Sequence, residues 1–497
     1  MKKSGLSEII DSLAKKKRNI LPIPHGTIPE LKGQDLDFVN VAYSHLIHSD
    51  WDKLEGLSNG LTPFRFKHVL LKIKKDYVLS YEFYKWVQLK NPTLHNLETH
   101  SMILHVLTKH RKFKSSQSIM KDILCSSSID LPYKLFEAIL YSYRLCDSSP
   151  CVFDALFKTH AHMKKFRNAR NTFCSMKKYG FLPSIESCNA LMSSLHSLNR
   201  SDVVLSFYKE IQKSGILPNS YTMNMVMNAY CKLGNMEKAN EVFQNMSSMG
   251  IFPTVSSYNI LISGYCNKGL LTSAMKLKAS IERNGLKPNE VTYNTLIHGF
   301  CKQGKMHDAN KVFNEMKAVG LSANTITYNS LIYGYSQLSN SEMGYELYED
   351  MLKYGVEANI VTYNALILGF CKEGKTKKAA LMVKELDKNN FVPNSSTFAA
   401  LILGQCMRKD SDRALQLYRS MIRNGCHPNN ETYEVLISSL CQNQDFDGAT
   451  QVLREMLGRC LSPNSAVLSE LCDGLCRNGD DDLALRLRNE VEARCRS

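Results

Sequence analysis

The chain has no run of about 18 apolar residues, so nothing in it reads as a membrane span. It also lacks the paired cysteines of a zinc site. Cys231, Cys266, Cys301, Cys371, Cys406, Cys441 and Cys476 stand at one interval of 35 residues or its double, whereas zinc ligands come in pairs two to four residues apart. The closer pairs, Cys472 with Cys476 and Cys426 with His427, have no second half. The 16 cysteines therefore read as small buried hydrophobes in a reducing compartment, with no metal and no cofactor expected. No nucleophile elbow, phosphate loop, HExxH motif or carboxylate pair rises above chance, so no catalytic residue is assigned and the chain reads as a non-enzyme. Acid is short as well. Against 62 Lys and Arg stand 47 Asp and Glu, a formal charge of +15, which favours an anionic partner without identifying one.

What the chain does have is repetition. VTYNTLIHGFCKQGK begins at Val291 and VTYNALILGFCKEGK at Val361, seventy residues on. Register fixed on the Tyr-Asn pair gives units starting at Pro150, Ile185, Ser220, Val255, Glu290, Thr325, Ile360, Ser395 and Asn430, nine of 35 residues without an insertion, and a shorter one from Ser465. A period held that strictly means one structural module stacked on its neighbours. In the unit from Glu290, Leu296, Ile297, Phe300 and Cys301 recur at intervals of three and four, and after Gly304 a second stripe follows in Met306, Ala309, Val312, Phe313 and Met316. Gly320 suits the left-handed residue that ends a helix, as do Gly215, Gly250, Gly285, Gly355 and Gly425, with Asn390 in the same place. Prolines such as Pro218, Pro253 and Pro288 keep the second helix from running into the next unit. Each unit is therefore a helical hairpin, and Ala169, Ala239, Ala274, Ala309, Ala379, Ala414 and Ala449 mark where its helices cross closely.

Residues 150–497 form this regular array, and residues 61–149 read as degenerate helical repeats. A unit from Leu97 is recognisable in ETHSMILHVLTKHRKF, a degenerate one is expected near Pro63, and YKLFEAILYSYRLCDSS reads as a first helix without its partner. Residues 1–60 show no repeat. Within them Leu6, Ile9, Ile10 and Leu13 form an amphipathic stretch flanked by Lys2, Lys3 and the run Lys15 to Arg18, a candidate targeting segment, although Glu8 and Asp11 depart from the acid-poor habit of such leaders.

The 35-residue unit with VTYNTLI, GFCKQGK, EMKAVGL and a closing Pro-Asn resembles the pentatricopeptide repeat of the plant organellar, P-class type, over roughly residues 97–497. Tetratricopeptide repeats are near relatives but have a period of 34 and a different pattern. The resemblance implies an all-α, right-handed superhelical solenoid of antiparallel helix-turn-helix repeats that binds single-stranded RNA, one nucleotide per repeat, read 5′ to 3′ from the N- to the C-terminus. It implies that the fifth and last residues of each repeat select the base: Asn189 with Asn219, Asn224 with Thr254, Asn259 with Asn289, Asn294 with Asn324, Asn329 with Asn359, and Asn364 with Asn394. Asn-Asn combinations resemble those that prefer pyrimidines, cytosine somewhat over uracil. The pairs Asp154 with Ser184, Ala399 with Asn429 and Glu434 with Asn464 fit no such combination. The second residue of each unit is implied to wedge between bases, a role that suits Val291, Ile326 and Val361 better than Glu186, Tyr221 or Ser256.

The residues alone allow two readings of these positions. An amide offers both a donor and an acceptor to the edge of an unpaired base, yet a first-turn Asn can bond to backbone and an Asn after Pro is an ordinary helix cap. Lys232, Lys302 and Lys372, with Lys268 nearby, either form a ladder that neutralises phosphates or decorate a solvated helix end. The last unit leaves no room for an appended deaminase or nuclease domain. The expectation is a monomer that binds single-stranded RNA, with RNA-processing proteins as further partners and neither membrane nor small molecule, in the mitochondrion or, alternatively, the chloroplast. The competing reading is a protein-protein scaffold that uses its concave face for peptides, as tetratricopeptide repeats do.

Overall fold

The computed structural model describes residues 20–24, 26–125 and 131–495; the stretch around Leu6, Ile9, Ile10 and Leu13 lies outside the described residues. Among the described residues there are 27 α-helices, two short 3-10 turns and no strand. The chain forms two compact units, one up to Ile260 and one from Leu261.

In the second unit the hairpins are Glu290–Lys302 with Met306–Ala318, Thr325–Gln337 with Ser341–Lys353, Ile360–Lys372 with Thr376–Lys388, Ser395–Met407 with Ser411–Arg423, Asn430–Gln442 with Phe446–Gly458, and Ser465–Arg477 with Asp481–Cys495. Local chemistry sets each boundary. Asn289 caps the first helix at Thr292 N, and the Thr292 side chain returns the contact to the cap backbone. The hairpin turn is made by Gly304 at φ 69°, and the second helix ends at Gly320 at φ 80°, a region where an L side chain is strained. Asn390 stands at φ 59° in the equivalent turn. The two sequence stripes, Leu296, Ile297, Phe300 and Cys301 with Met306, Ala309, Val312, Phe313 and Met316, are all buried. A side chain such as Leu296, at 0% exposure, contributes about 1.5–3 kcal/mol through the apolar area it removes from water.

Successive hairpins are joined by two repeated contacts. Tyrosine of the Tyr-Asn pair packs edge-on against an aromatic of the preceding second helix: Phe313 with Tyr328 at 5.8 Å between ring centroids, Tyr348 with Tyr363 at 6.0 Å and Tyr418 with Tyr433 at 5.9 Å. Neighbouring first helices approach where a glycine faces a small residue of the helix before it, Gly299 over Cys266, Gly334 over Cys301, Gly369 over Ser336 and Gly404 over Cys371. Burial pushes the Cys301 and Cys371 thiols up to about 12, so they remain protonated and unreactive. Of the seven cysteines in the 35-residue series, Cys231 is only half-buried and Cys476 is exposed.

At the second-helix position where Ala274, Ala309, Ala379, Ala414 and Ala449 are buried, this unit also carries Gly344. A Cβ there would meet Ile332 O at 3.7 Å and Ile332 Cγ2 at 3.8 Å, ordinary van der Waals contact. Glycine inside a helix costs about 1 kcal/mol relative to alanine. Gly344→Ala is therefore expected to raise the melting midpoint by roughly 2–4 °C, read by circular dichroism; a fall would mean that the added methyl does not fit.

The first unit contains the regular hairpins Cys151–His162 with Phe166–Lys178, Ile185–Ser197 with Ser201–Lys213, and Ser220–Lys232 with Met236–Ser248. Before them come Leu97–Lys109 with Phe113–Cys125 and Pro63–Ile73 with Tyr77–Lys90. Between Cys125 and Cys151 stands the single helix Leu131–Ser142, packed on Leu97–Lys109 through Ser101 Oγ to Ser142 Oγ at 2.8 Å and His105 Nε2 to Ile139 O at 3.0 Å. Two further helices, Gln34–Ile47 and Trp51–Gly56, fall in the stretch where the sequence shows no repeat, and the Arg65 guanidinium ties the first of them to Pro63–Ile73 through Asp35 at 2.6 Å. A six-residue second helix is too short to display a stripe, which is why this pair escapes a periodicity search. Before these helices, Leu21 N donates to Lys178 O at 2.8 Å and Pro29 O lies 3.1 Å from His68 Nε2.

This unit buries imidazoles. His105 and His160 are both 0% exposed, and burial holds each, like His100, down to about 4. In the unfolded chain they titrate near the ordinary value of about 6.5. Between those values the unfolded state binds more protons, so stability is fully present above pH 6.5 and falls as pH drops toward 4. At pH 5.5 each histidine is expected to remove about 1.4 kcal/mol, seen as a lower melting midpoint than at pH 7.5. Equal midpoints at the two pH values would contradict neutral buried imidazoles.

Candidate nucleic-acid interface

The fifth and last residues of the repeats, 30 positions apart in sequence, meet in space. Asn189 Nδ2 donates to Asn219 Oδ1 at 3.2 Å in the first unit. In the second unit Asn294 donates to Asn324 at 3.3 Å, Asn329 to Asn359 at 3.1 Å and Asn364 to Asn394 at 3.0 Å. Asn259 and Asn289 fall in different units. Asn259 is buried at 8% exposure, and Asn289 caps Glu290–Lys302. Asn224 lies under a different closing residue, Thr254, and its Oδ1 accepts from Ser257 Oγ at 2.7 Å.

Every closing Asn also does the ordinary work of a cap. Asn324 Oδ1 accepts from Ile326 N and Thr327 N at 3.1 and 3.2 Å, and Asn359 and Asn394 repeat the arrangement with Val361, Thr362, Ser396 and Thr397. One closing side chain thus serves both as a helix cap and as the partner of the fifth-position amide. The fifth-position Asn, by contrast, is held by side chains and not by backbone. Its Oδ1 accepts from the third-position hydroxyl of the next repeat: Thr222 to Asn189 at 2.8 Å, Thr327 to Asn294 at 2.6 Å, Thr362 to Asn329 and Thr397 to Asn364 at 2.7 Å. Those threonines are 0% exposed. The sequence analysis does not single them out, and the signal that could have revealed them is a Ser or Thr two residues before each of the six fifth-position asparagines.

In the second unit these amides open onto a groove of about 810 Å³ lined by Asn329, Asn359, Asn364 and Asn394 together with Ile326 and Val361. Val291, Ile326 and Val361 are 57%, 64% and 53% exposed, while Leu296, Ile297, Leu331, Ile332, Leu366 and Ile367 of the same helices are buried. Tyr333, Leu368 and His298 line the same groove and were not singled out by the sequence, because their position varies from unit to unit.

The lysines are less uniform. Lys372 lines the groove and donates to Gln337 Oε1 at 2.5 Å. Lys232 donates to Asn199 Oδ1 at 2.8 Å, and Lys302 and Lys268 are exposed at their hairpin turns. Gln337 and Met407 occupy the matching positions elsewhere, so cations do not stand at every step. The outlying pairs differ in kind. Asp154 is saturated by Ser184 N at 2.8 Å, Ser184 Oγ at 3.0 Å and Ser187 Oγ at 2.9 Å, and Glu434 Oε1 accepts from Asn464 N at 2.9 Å. Asp154, with three of its acceptor sites taken, has little left to offer a base.

Among the described residues no cluster of three or more His, Cys, Asp or Glu could hold a metal ion, and no helix is long and apolar enough to cross a membrane.

The PPR repeat family matches residues 183–232, 218–267, 253–302, 288–337, 323–367, 358–407 and 393–442, and a PPR repeat matches 431–461. A mitochondrial pentatricopeptide repeat-containing protein of Arabidopsis thaliana is 63% identical over 191 residues, 38% of this chain and 37% of that protein. A second from the same plant is 30% identical over 170 residues, 33% of this chain and 22% of that protein. The alignments thus span well under half the length of these relatives. The crystal structure of the pentatricopeptide repeat protein PPR10 from maize aligns over 93% of this chain and 79% of that one at 17% identity with a TM-score of 0.42, and that of PPR10 in complex with an 18-nt psaJ RNA element at 18% identity and 0.41 over 93% and 80%. With family matches running from residue 183 to residue 461 of its 497, the chain belongs to the pentatricopeptide repeat family.

Proposed function

We propose that this protein binds single-stranded RNA, one nucleotide per repeat, at a core of about six consecutive pyrimidines read 5′ to 3′ by the repeats from Ile185 to Ile360. The observation that carries this reading is the repeated pairing of amides, of which Asn329 with Asn359 and Asn364 with Asn394 line one groove beside the exposed Ile326 and Val361. Amides address the hydrogen-bonding edge of an unpaired base, and Val291, Ile326 and Val361 supply apolar surface against which bases can lie. A formal charge of +15 favours a polyanion. The protein acts by occupying its site, with consequences for processing, splicing, stability or translation of an organellar transcript. The mitochondrial designation of the 63% identical relative supports that organelle, and a fluorescent fusion found in plastids instead would overturn it.

A gel-shift titration against strands with C6, U6 and A6 cores in one flanking context, at two salt concentrations, tests the central reading. Pyrimidine cores are expected to bind more tightly than A6. Equal affinity for all three would leave a basic sleeve without base selection, and no binding would favour a peptide-binding scaffold. If Lys302 and Lys372 each neutralise one phosphate, changing both to glutamine lowers the slope of log affinity against log salt by about 1.4, from roughly 0.7 for each single-strand phosphate. An unchanged slope would remove them from the interface.

A further inference from the structure

Which atom of each selecting amide faces the groove can be worked out from groups whose polarity is fixed. Backbone N–H groups can only donate. Val361 N and Thr362 N both point at one side-chain atom of Asn359, at 3.0 and 3.2 Å, so that atom is its carbonyl oxygen. The Asn329 atom 3.1 Å from that oxygen must then be a donor, Nδ2. This turns Asn329 Oδ1 onto the Thr362 hydroxyl at 2.7 Å. Thr362 Oγ1 in turn accepts from Asn359 N at 3.1 Å, which leaves its single proton for Asn329. The same closed ring recurs at Asn364 with Asn394 and Thr397, at 3.0 and 2.7 Å, and Asn394 N donates to Thr397 Oγ1 at 3.1 Å. It recurs at Asn294 with Asn324 and Thr327, where Asn324 N lies 3.2 Å from Thr327 Oγ1.

We infer that the buried third-position hydroxyls of Thr327, Thr362 and Thr397 are positioning residues that lock the amide of the preceding repeat with its oxygen inward, so that each presents an N–H to the base. The inference rests on the base-selecting reading above and adds to it the direction of the hydrogen bond. Each Nδ2 has two protons, of which one goes to the closing Asn and the other remains for a ligand. A donor aimed at the centre of the base edge meets the acceptor N3 in cytosine, whereas in uracil it meets the N3–H and must shift to O2 or O4 to find an acceptor. The locked amide therefore favours cytosine over uracil, and the source of that preference is a threonine that never touches the nucleotide. Ser257 Oγ donates in the same way to Asn224 Oδ1 at 2.7 Å, so a hydroxyl without the methyl group makes this bond.

The test compares C6 and U6 cores on the full chain carrying Thr362→Val, Thr397→Val, or serine at the same positions, with folding verified by circular dichroism before each titration. The wild type is expected to prefer C6. Each valine change is expected to reduce that preference about fivefold, the worth of one hydrogen bond, while A6 binding stays where it was and the serine variants keep the wild-type ratio. The valine variants are made singly, so that one which fails to fold leaves the other to decide. A wild-type preference that survives both valine changes overturns the inference and leaves pyrimidine reading intact. A wild type that does not separate pyrimidines from A6 overturns both.

Discussion

The combined substitution Asn294→Ala, Asn329→Ala and Asn364→Ala is expected to weaken binding to a C6-core strand on the order of 100-fold, from about 1 kcal/mol of net hydrogen bonding lost in each of three repeats. Two competing effects are smaller. Alanine is the better helix former by about 0.5 kcal/mol per site, so the helices gain slightly. The hydroxyl that loses its partner has another within reach, since Thr327 Oγ1 lies 3.1 Å from Asn324 Oδ1 and Thr397 Oγ1 lies 3.2 Å from Asn394 Oδ1. The melting midpoint should therefore move little while affinity collapses. The discriminating measurement is the parallel titration with an A6 core. If affinity for A6 falls by the same factor as for C6, the amides support the groove in general and do not choose bases.

The second large effect concerns stability. Gly334→Val is expected to cost about 3 kcal/mol, the upper part of the range for overpacking a filled core, and to lower the melting midpoint of the second unit by roughly 6–12 °C. A Cβ at Gly334 would lie 2.8 Å from Cys301 Cβ and 2.7 Å from Met306 Sδ. The methionine can swing aside, but Cys301 Cβ is fixed to its helix. Even Gly334→Ala should destabilise, against a helix-propensity gain of about 1 kcal/mol, whereas the same change ten residues later at Gly344 stabilises. Helix propensity alone gives both changes the same sign, so opposite signs identify the inter-repeat contact as the deciding term. A stable Gly334→Val variant would mean that the first helices can separate without loss.

Much of this architecture was legible because every layer obeys one period. Helix ends, turn glycines, the alanine crossings and both buried stripes follow from a 35-residue register, and the structure places them there residue by residue. Legibility failed where a feature depends on contacts between layers. The helices Gln34–Ile47 and Trp51–Gly56 carry too short a second element to show a pattern. The lysines look like a ladder in the sequence, yet their ammonium groups are drawn to different neighbours, Asn199 under Lys232 and Gln337 under Lys372. Thr362 is half of a capping box, and nothing in its local sequence says that its proton is spent on an asparagine 33 residues earlier. The Asn pairs were legible only through a family resemblance; spacing alone gave two readings, of which the structure shows the capping one in the closing residues.

The hydrogen-bonded rings bear on how such a chain can be recombined. A ring closes from the fifth residue of one repeat to the third residue of the next, so its three side chains straddle the border between hairpins. The segment that folds as a hairpin and the segment that carries one complete amide ring are out of phase by a few residues. A graft cut at helix ends would carry a selecting asparagine away from its hydroxyl and place it under whatever the recipient supplies. Cutting instead within the first turn of the first helix, between the third and fifth positions at Tyr328 or Tyr363, keeps each ring whole and moves it as a single cassette, which sets the joint for anyone assembling new arrays from these repeats.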